Sequence, residues 1–171
     1  MDAIAILRGG IKQGHDIMEQ AVANLTPEQL HHRGEGSTIH SIALIYAHTV
    51  MSEDWLMNTK LRDQASIFER AGLSKTVGIE MVPFGGDPEP WIANIPNVDF
   101  DALRRYAAQV YTETDDYLAT LTEADLDGTV TFIDEMPIGA FLSTIIGWHA
   151  AHHGGEICAL KGVLGGKGLP F

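Results

Sequence analysis

Apolar side chains recur at helical spacing over most of the chain, and the interruptions mark out the elements. Ile4, Leu7, Ile11, Met18, Val22 and Leu25 hold one stripe, so Asp2 to Leu25 is expected to form a first helix with Asp2 as its N-cap. His15 lies within that stripe and reads as a satisfied core histidine, with support of a metal ligand as the alternative. Thr26-Pro27-Glu28-Gln29 carries the residues of a capping box with proline at the first helical position, and His31 to Ser37 is a polar loop. A second helix is expected from about Thr38 to Lys60, with Ser37 as its cap. It is apolar nearly all round, through Ile39, Ile42, Leu44, Ile45, Val50 and Leu56, which places it centrally. His48 shares a face there with Leu44, Met51 and Trp55. Leu61 to Gly72 reads as a shorter amphipathic helix.

The stretch from Val77 to Val98 breaks the rhythm. Gly78, Pro83, Gly85, Gly86, Pro88 and Pro90 rule out a long helix. A loop of this length in a compact domain is either disordered or functional. Phe84 and Trp91 favour an ordered excursion that packs, with a cover over a site as one role. A third helix is expected from its cap Asp99 to Leu121, with Leu103, Ala107, Val110, Thr114 and Tyr117 in its seam. Thr129 to Ile133 is β-prone, and a fourth helix follows from about Pro137 to Leu164, ended by Gly165-Gly166-Lys167-Gly168. LTPEQL at 25–30 and LTEADL at 121–126 echo one another, each ending a long helix and preceding a loop and a helix that bears seam histidine. The echo implies four main helices in a pseudo-twofold arrangement.

The fourth helix carries the chemistry. Its expected seam is Leu142, Ile146, His149, His153, Glu156, Leu160 and Val163, with polar side chains at three successive positions where the pattern asks for Leu or Ile. A buried polar group without a partner costs about 1–3 kcal/mol, and a shared metal ion is the most economical partner for three of them. His149 and His153 are four residues apart, so their rings stack on one helix face. His48, from the middle of the second helix, is the natural third ligand. Three imidazoles with open positions left for water or substrate make the catalytic rather than the structural pattern, and they suit zinc, nickel or iron. Glu156 is the candidate catalytic residue: an acceptor orienting an imidazole, a general base, or a fourth ligand. Its bland alternative is pairing with a facing helix. His152 points about 100° away from His153 and is expected to flank the site. His31, His32 and His40 read as exposed or loop residues. Gly147, Gly154 and Gly155 either admit a close neighbour or kink the helix.

Composition narrows the partners. The chain has 171 residues, enough for a single domain spanning 1–171 with a sizeable core. A net charge of −12 repels phosphate backbones and anionic lipid, so neither nucleic acid nor membrane is an expected partner, and a small-molecule substrate is. Cys158 is the only cysteine, which excludes an intrachain disulfide and a cysteine-based zinc cluster; it reads as an unreactive packing thiol off the seam. The start lacks a signal-peptide pattern and no apolar run reaches the length of a membrane span, so the cytoplasm is the expected compartment. Homodimerisation through a helix face is a further expectation.

The segments IALIYAHTVMSEDWL around His48, LTPEQL before it and HAAHHGGEI in the last helix resemble the DinB-like superfamily of metal-binding four-helix bundles, and the likeness covers essentially the whole chain. The resemblance implies an all-α four-helix bundle whose metal is held by three histidines, falling here on His48, His149 and His153. A family Gly-Gln/Glu pair falls on Gly155 and Glu156. It further implies a thiol S-transferase using a low-molecular-weight thiol cosubstrate such as bacillithiol or mycothiol. A metal-dependent hydrolase and a non-catalytic binding or stress protein are the rivals. The Pro/Gly-rich insertion between the second and third main helices departs from the simplest members, and with it the substrate.

Overall fold

Asp2 accepts hydrogen bonds from the backbone N–H groups of Ile4 and Ala5 and so starts α1 (Ala3–Val22). The computed structural model describes residues 2–34 and 38–168. α1 stops before the expected Leu25 because Asn24 adopts a left-handed backbone, and Lys161 Nζ donates to the freed carbonyls of Ala21 and Ala23. The expected capping box forms in α2 (Pro27–His31), between Thr26 and Gln29. Its echo also forms, between Thr122 and Asp125, so the two similar segments share one local device.

The second main helix starts later than its apolar pattern indicates. α3 runs Ile42–Asp54, capped by Ser41, whose Oγ accepts from the Leu44 N–H; the expected cap Ser37 lies outside the described residues. Every residue of α3 except His48 is buried, as expected of a central helix. The chain then continues from Trp55 to Leu61 as π-helix, a wider turn with i→i+5 bonding. The amphipathic helix expected over Leu61 to Gly72 is reduced to α4 (Ile67–Arg70). Asp63 in the left-handed region interrupts it, and the buried Asp54 carboxylate accepts from the backbone N–H groups of Ile67 and Phe68. Asp54 also accepts from Tyr106 Oη and Asn58 Nδ2, so the polar atoms of this fully buried side chain are satisfied by protein donors.

A short α5 (Ser74–Val77) leads into the insertion, which holds a loop and then α6 (Glu89–Asn94), with no long helix, as its prolines and glycines require. Ile79, Val82, Trp91 and Ile95 enter the main core, and Trp91 Nε1 donates to the Glu80 carbonyl. α7 (Phe100–Leu118) is capped by Asp99. β1 (Thr129–Thr131) and β2 (Glu135–Pro137) pair antiparallel with Val130 opposite Met136, so the β-prone piece becomes a small hairpin.

The last main helix is continuous from Ile138 to Val163, in three pieces: α8 (Ile138–Ala140), a π-helical stretch Phe141–Ile146, and α9 (Gly147–Val163). No break occurs at Gly154-Gly155. A Cβ on Gly154 would lie 2.9 Å from Ile17 Cγ2, so this glycine permits the close packing of α9 on α1. α1, α3, α7 and α9 thus form an all-α four-helix bundle, with α9 between α1 and α3. Among the described residues no helix is long and apolar enough to cross a membrane.

Candidate metal centre

The buried face of α9 differs from the expected seam. Ile146, Ala150, Gly154, Ile157 and Cys158 point into the bundle, whereas Glu156 and Val163 are exposed. The cause is α1, which lies so close that it selects the small residues Ala150 and Gly154 as its contact face. His149 and His153 fall on the flank next to α3, half-buried rather than buried. Cys158 is accordingly on the packed face, and burial pushes its thiol pKa up, which fits a packing role.

That flank is where His48 leaves the core. One ring nitrogen from each of His48, His149 and His153 lies within 4.8 Å of the others. His48 Nε2 and His149 Nε2 face each other at 3.2 Å. Two of the other nitrogens are engaged: His153 Nδ1–H donates to Glu156 Oε2 at 2.9 Å, and His48 Nδ1 lies 3.4 Å from Ser52 Oγ. Both contacts leave Nε2 as the nitrogen available to a shared partner. Burial, reinforced by the neighbouring His153, lowers the pKa of His48 to about 4 and that of His149 to about 3. Both rings are therefore neutral at pH 7, each with one ring nitrogen unprotonated. A set of three convergent imidazoles fits a borderline divalent cation and could hold one.

The other titratable positions separate cleanly. His152 is exposed, points away from the cluster and lies beside Trp148. His15 is buried; its Nε2–H donates to Glu53 Oε2 at 2.8 Å and its ring stacks on Tyr111, while Glu53 also accepts from Thr114. It is a satisfied core histidine. His40 lies in a loop and His32 is exposed, as expected, while His31 ends α2 half-buried.

A cavity of about 400 Å³ opens beside His48 and His149. The π-helical stretches build two of its walls, through Leu56 on one side and Thr144 and Ile145 on the other. Trp148 and His152 enter from α9, Phe132 from the hairpin, and Phe84 from the insertion. The sequence pattern did not single out Phe132, Trp148 or Ser52 as site residues. Ser52 stands four residues after His48 on the same helix face, a spacing that could have revealed it. Phe132 is brought in only by the hairpin.

The fold and the convergent histidines define an all-α bundle of the kind that builds metal sites between facing helices. The chain belongs to the DinB superfamily, whose sequence profile matches residues 11–157. Two solved structures share the fold. A conserved protein from Enterococcus faecalis superposes with a TM-score of 0.79 at 17% identity, covering 96% of this chain and 99% of its own. YfiT from Bacillus subtilis, described as a probable metal-dependent hydrolase with an unusual four-helix bundle topology, gives 0.67 at 18% identity, covering 95% and 88%. No curated protein matches the chain in sequence.

Proposed function

We propose that this protein is a divalent-metal-dependent enzyme acting on a small molecule, with His48, His149 and His153 as the metal ligands. The observation that carries the reading is the convergence of three imidazoles from two helices, two of them held neutral by burial, at the edge of an open cavity. A divalent ion supplies Lewis-acid chemistry there, lowering the pKa of a nucleophile so that it reacts at neutral pH. The side chains do the rest. Glu156 accepts from His153 Nδ1–H and fixes the tautomer and orientation of that ring, which makes it a positioning residue. Ser52 stands in the corresponding place beside His48.

The nucleophile we propose is a low-molecular-weight thiol, giving an S-transferase. Its sulfur bonds to an electrophilic carbon, the carbon's bond to the leaving group breaks with its electron pair, and the thiol proton passes to solvent. Hydrolysis is the second reading, supported by the description of YfiT and by the room beside the histidines for water. Zinc and nickel are the preferred ions and iron the third; a soluble cytoplasmic homodimer is the proposed setting.

Metal analysis by plasma mass spectrometry on tag-free protein, beside His149→Ala, tests the centre. About one ion per chain, lost in the variant, is the expected result. Absence of an ion together with no uptake of added zinc or nickel would overturn the reading. Parallel assays of thiol plus electrophile and of esters and amides then separate transfer from hydrolysis.

A further inference from the structure

The cavity beside the histidines carries more information than its position. Leu56, Phe84, Phe132, Ile145 and Trp148 line it, and among the described residues no lysine, arginine, aspartate or glutamate does. The nearby cation, Lys60, sits 4.8 Å over the Trp55 ring. Phe84 stacks flat on Trp55, with ring centroids 3.9 Å apart and planes 11° from parallel. The insertion that delivers Phe84 is anchored at both ends by buried Ile79, Val82 and Trp91, so the ring is presented by a tethered loop. Phe84 and Trp148 are 40% and 59% exposed, a large apolar surface to leave in water beside a polar cluster. A cleft between α1 and α7 is instead walled in part by paired charges, Arg8 with Asp115 and Lys12 with Asp16.

We infer that this cavity is the specificity pocket of the centre and that it takes an uncharged aromatic or branched apolar group of the substrate, with Phe84 as a specificity-determining residue. The inference rests on the reading of the three histidines as a metal centre. A volume of about 400 Å³ lies in the range of small-molecule sites, where apolar walls supply affinity and a few polar groups fix orientation. Aromatic rings on separate elements, Phe84, Phe132 and Trp148, offer faces and edges to a planar guest. An anionic group seated among these rings, away from the histidines, would lose its water with no lysine or arginine among the described wall residues to replace it. A charged cosubstrate must therefore keep its ionised groups outside this pocket and approach the histidines from the solvent side.

The test is calorimetric titration of tag-free protein with neutral 2-naphthol and with anionic 2-naphthoate, run metal-free so that no bound cation attracts the carboxylate, with zinc uptake measured on parallel samples. Naphthol is expected to bind more tightly, by on the order of tenfold. Phe84→Ala should weaken naphthol by about fivefold with zinc uptake unchanged. Thr144→Lys, which adds a cation to an exposed wall position, should shift the preference toward naphthoate. Equal affinities for the two probes, no binding of either, or a Phe84→Ala variant that binds naphthol like the parent would overturn the inference while leaving the metal centre standing. Naphthol selectivity in a protein that takes up no zinc would do the reverse: the pocket would stand and the metal-dependent reading would fall.

Discussion

His48 Nε2 and His149 Nε2 lie 3.2 Å apart although the two residues are separated by 101 positions in the chain. Two neutral imidazoles facing in this way share one proton at most, so one ring donates and its lone pair is lost to a metal. A cation held there would replace that weak contact with bonds to both rings. Metal binding would thus be linked to stability: an ion at a hundred times its Kd would add about 2.7 kcal/mol to the folded state. Zinc or nickel should raise the melting temperature of the parent protein and leave those of His48→Ala and His149→Ala unmoved. Thermal unfolding followed by circular dichroism, with and without metal, checks this. An equal shift in parent and variants would remove these histidines from the site.

Acid should act on the metal-free chain through the same two rings. Their pKa values, about 4 for His48 and about 3 for His149, lie below the ordinary 6.5. Below pH 6.5 the unfolded chain takes up protons that the folded chain refuses, so folding stability is lost as pH falls from 6.5 toward 4. Urea unfolding of metal-free protein across that window should show midpoints that fall with pH. A double His48→Gln, His149→Gln variant should show a shallower slope.

Glu156 distinguishes positioning from proton transfer. Because it accepts from His153 Nδ1–H, Glu156→Ala is expected to weaken metal affinity by about 10–100-fold, whereas Glu156→Gln keeps an acceptor oxygen and much of the affinity. Competition with a chromogenic chelator measures both. If Glu156→Ala holds metal like the parent but loses turnover, the carboxylate is handling protons directly.

The adjacent glycines of α9 should respond in opposite directions. A Cβ at Gly155 meets nothing within 4 Å, so Gly155→Ala should stabilise the helix by up to about 1 kcal/mol. At Gly154 the same methyl would lie 2.9 Å from Ile17 Cγ2 and 3.5 Å from Met18 Sδ, and overpacking costs of about 1–3 kcal/mol should outweigh the helical gain. Chemical denaturation of the two variants is sufficient. Equal effects would mean that α1 and α9 are not in close contact at Gly154.

Periodicity and end signals made the architecture legible from the sequence. Four long apolar stripes, the caps Asp2 and Asp99, the Thr26 box and the terminal Gly165 are local devices, and each acts through residues a few positions away. The spacing of His149 and His153 is local in the same sense, so their shared face was readable too. Side-chain burial was not. Which face of α9 turns inward depends on how closely α1 approaches, and that approach puts Ala150 and Gly154 in the core and Glu156 in solvent. The helix expected over Leu61 to Gly72 was lost to Asp54, a partner thirteen residues before the Ile67 N–H it holds. The cavity walls are the most distant case, because Leu56, Phe84, Phe132 and Trp148 share no period and no motif. The sequence by itself determined the helices and the histidines that share a face. Tertiary packing alone decided what surrounds them, since contacts between elements far apart in the chain leave no fixed spacing to read.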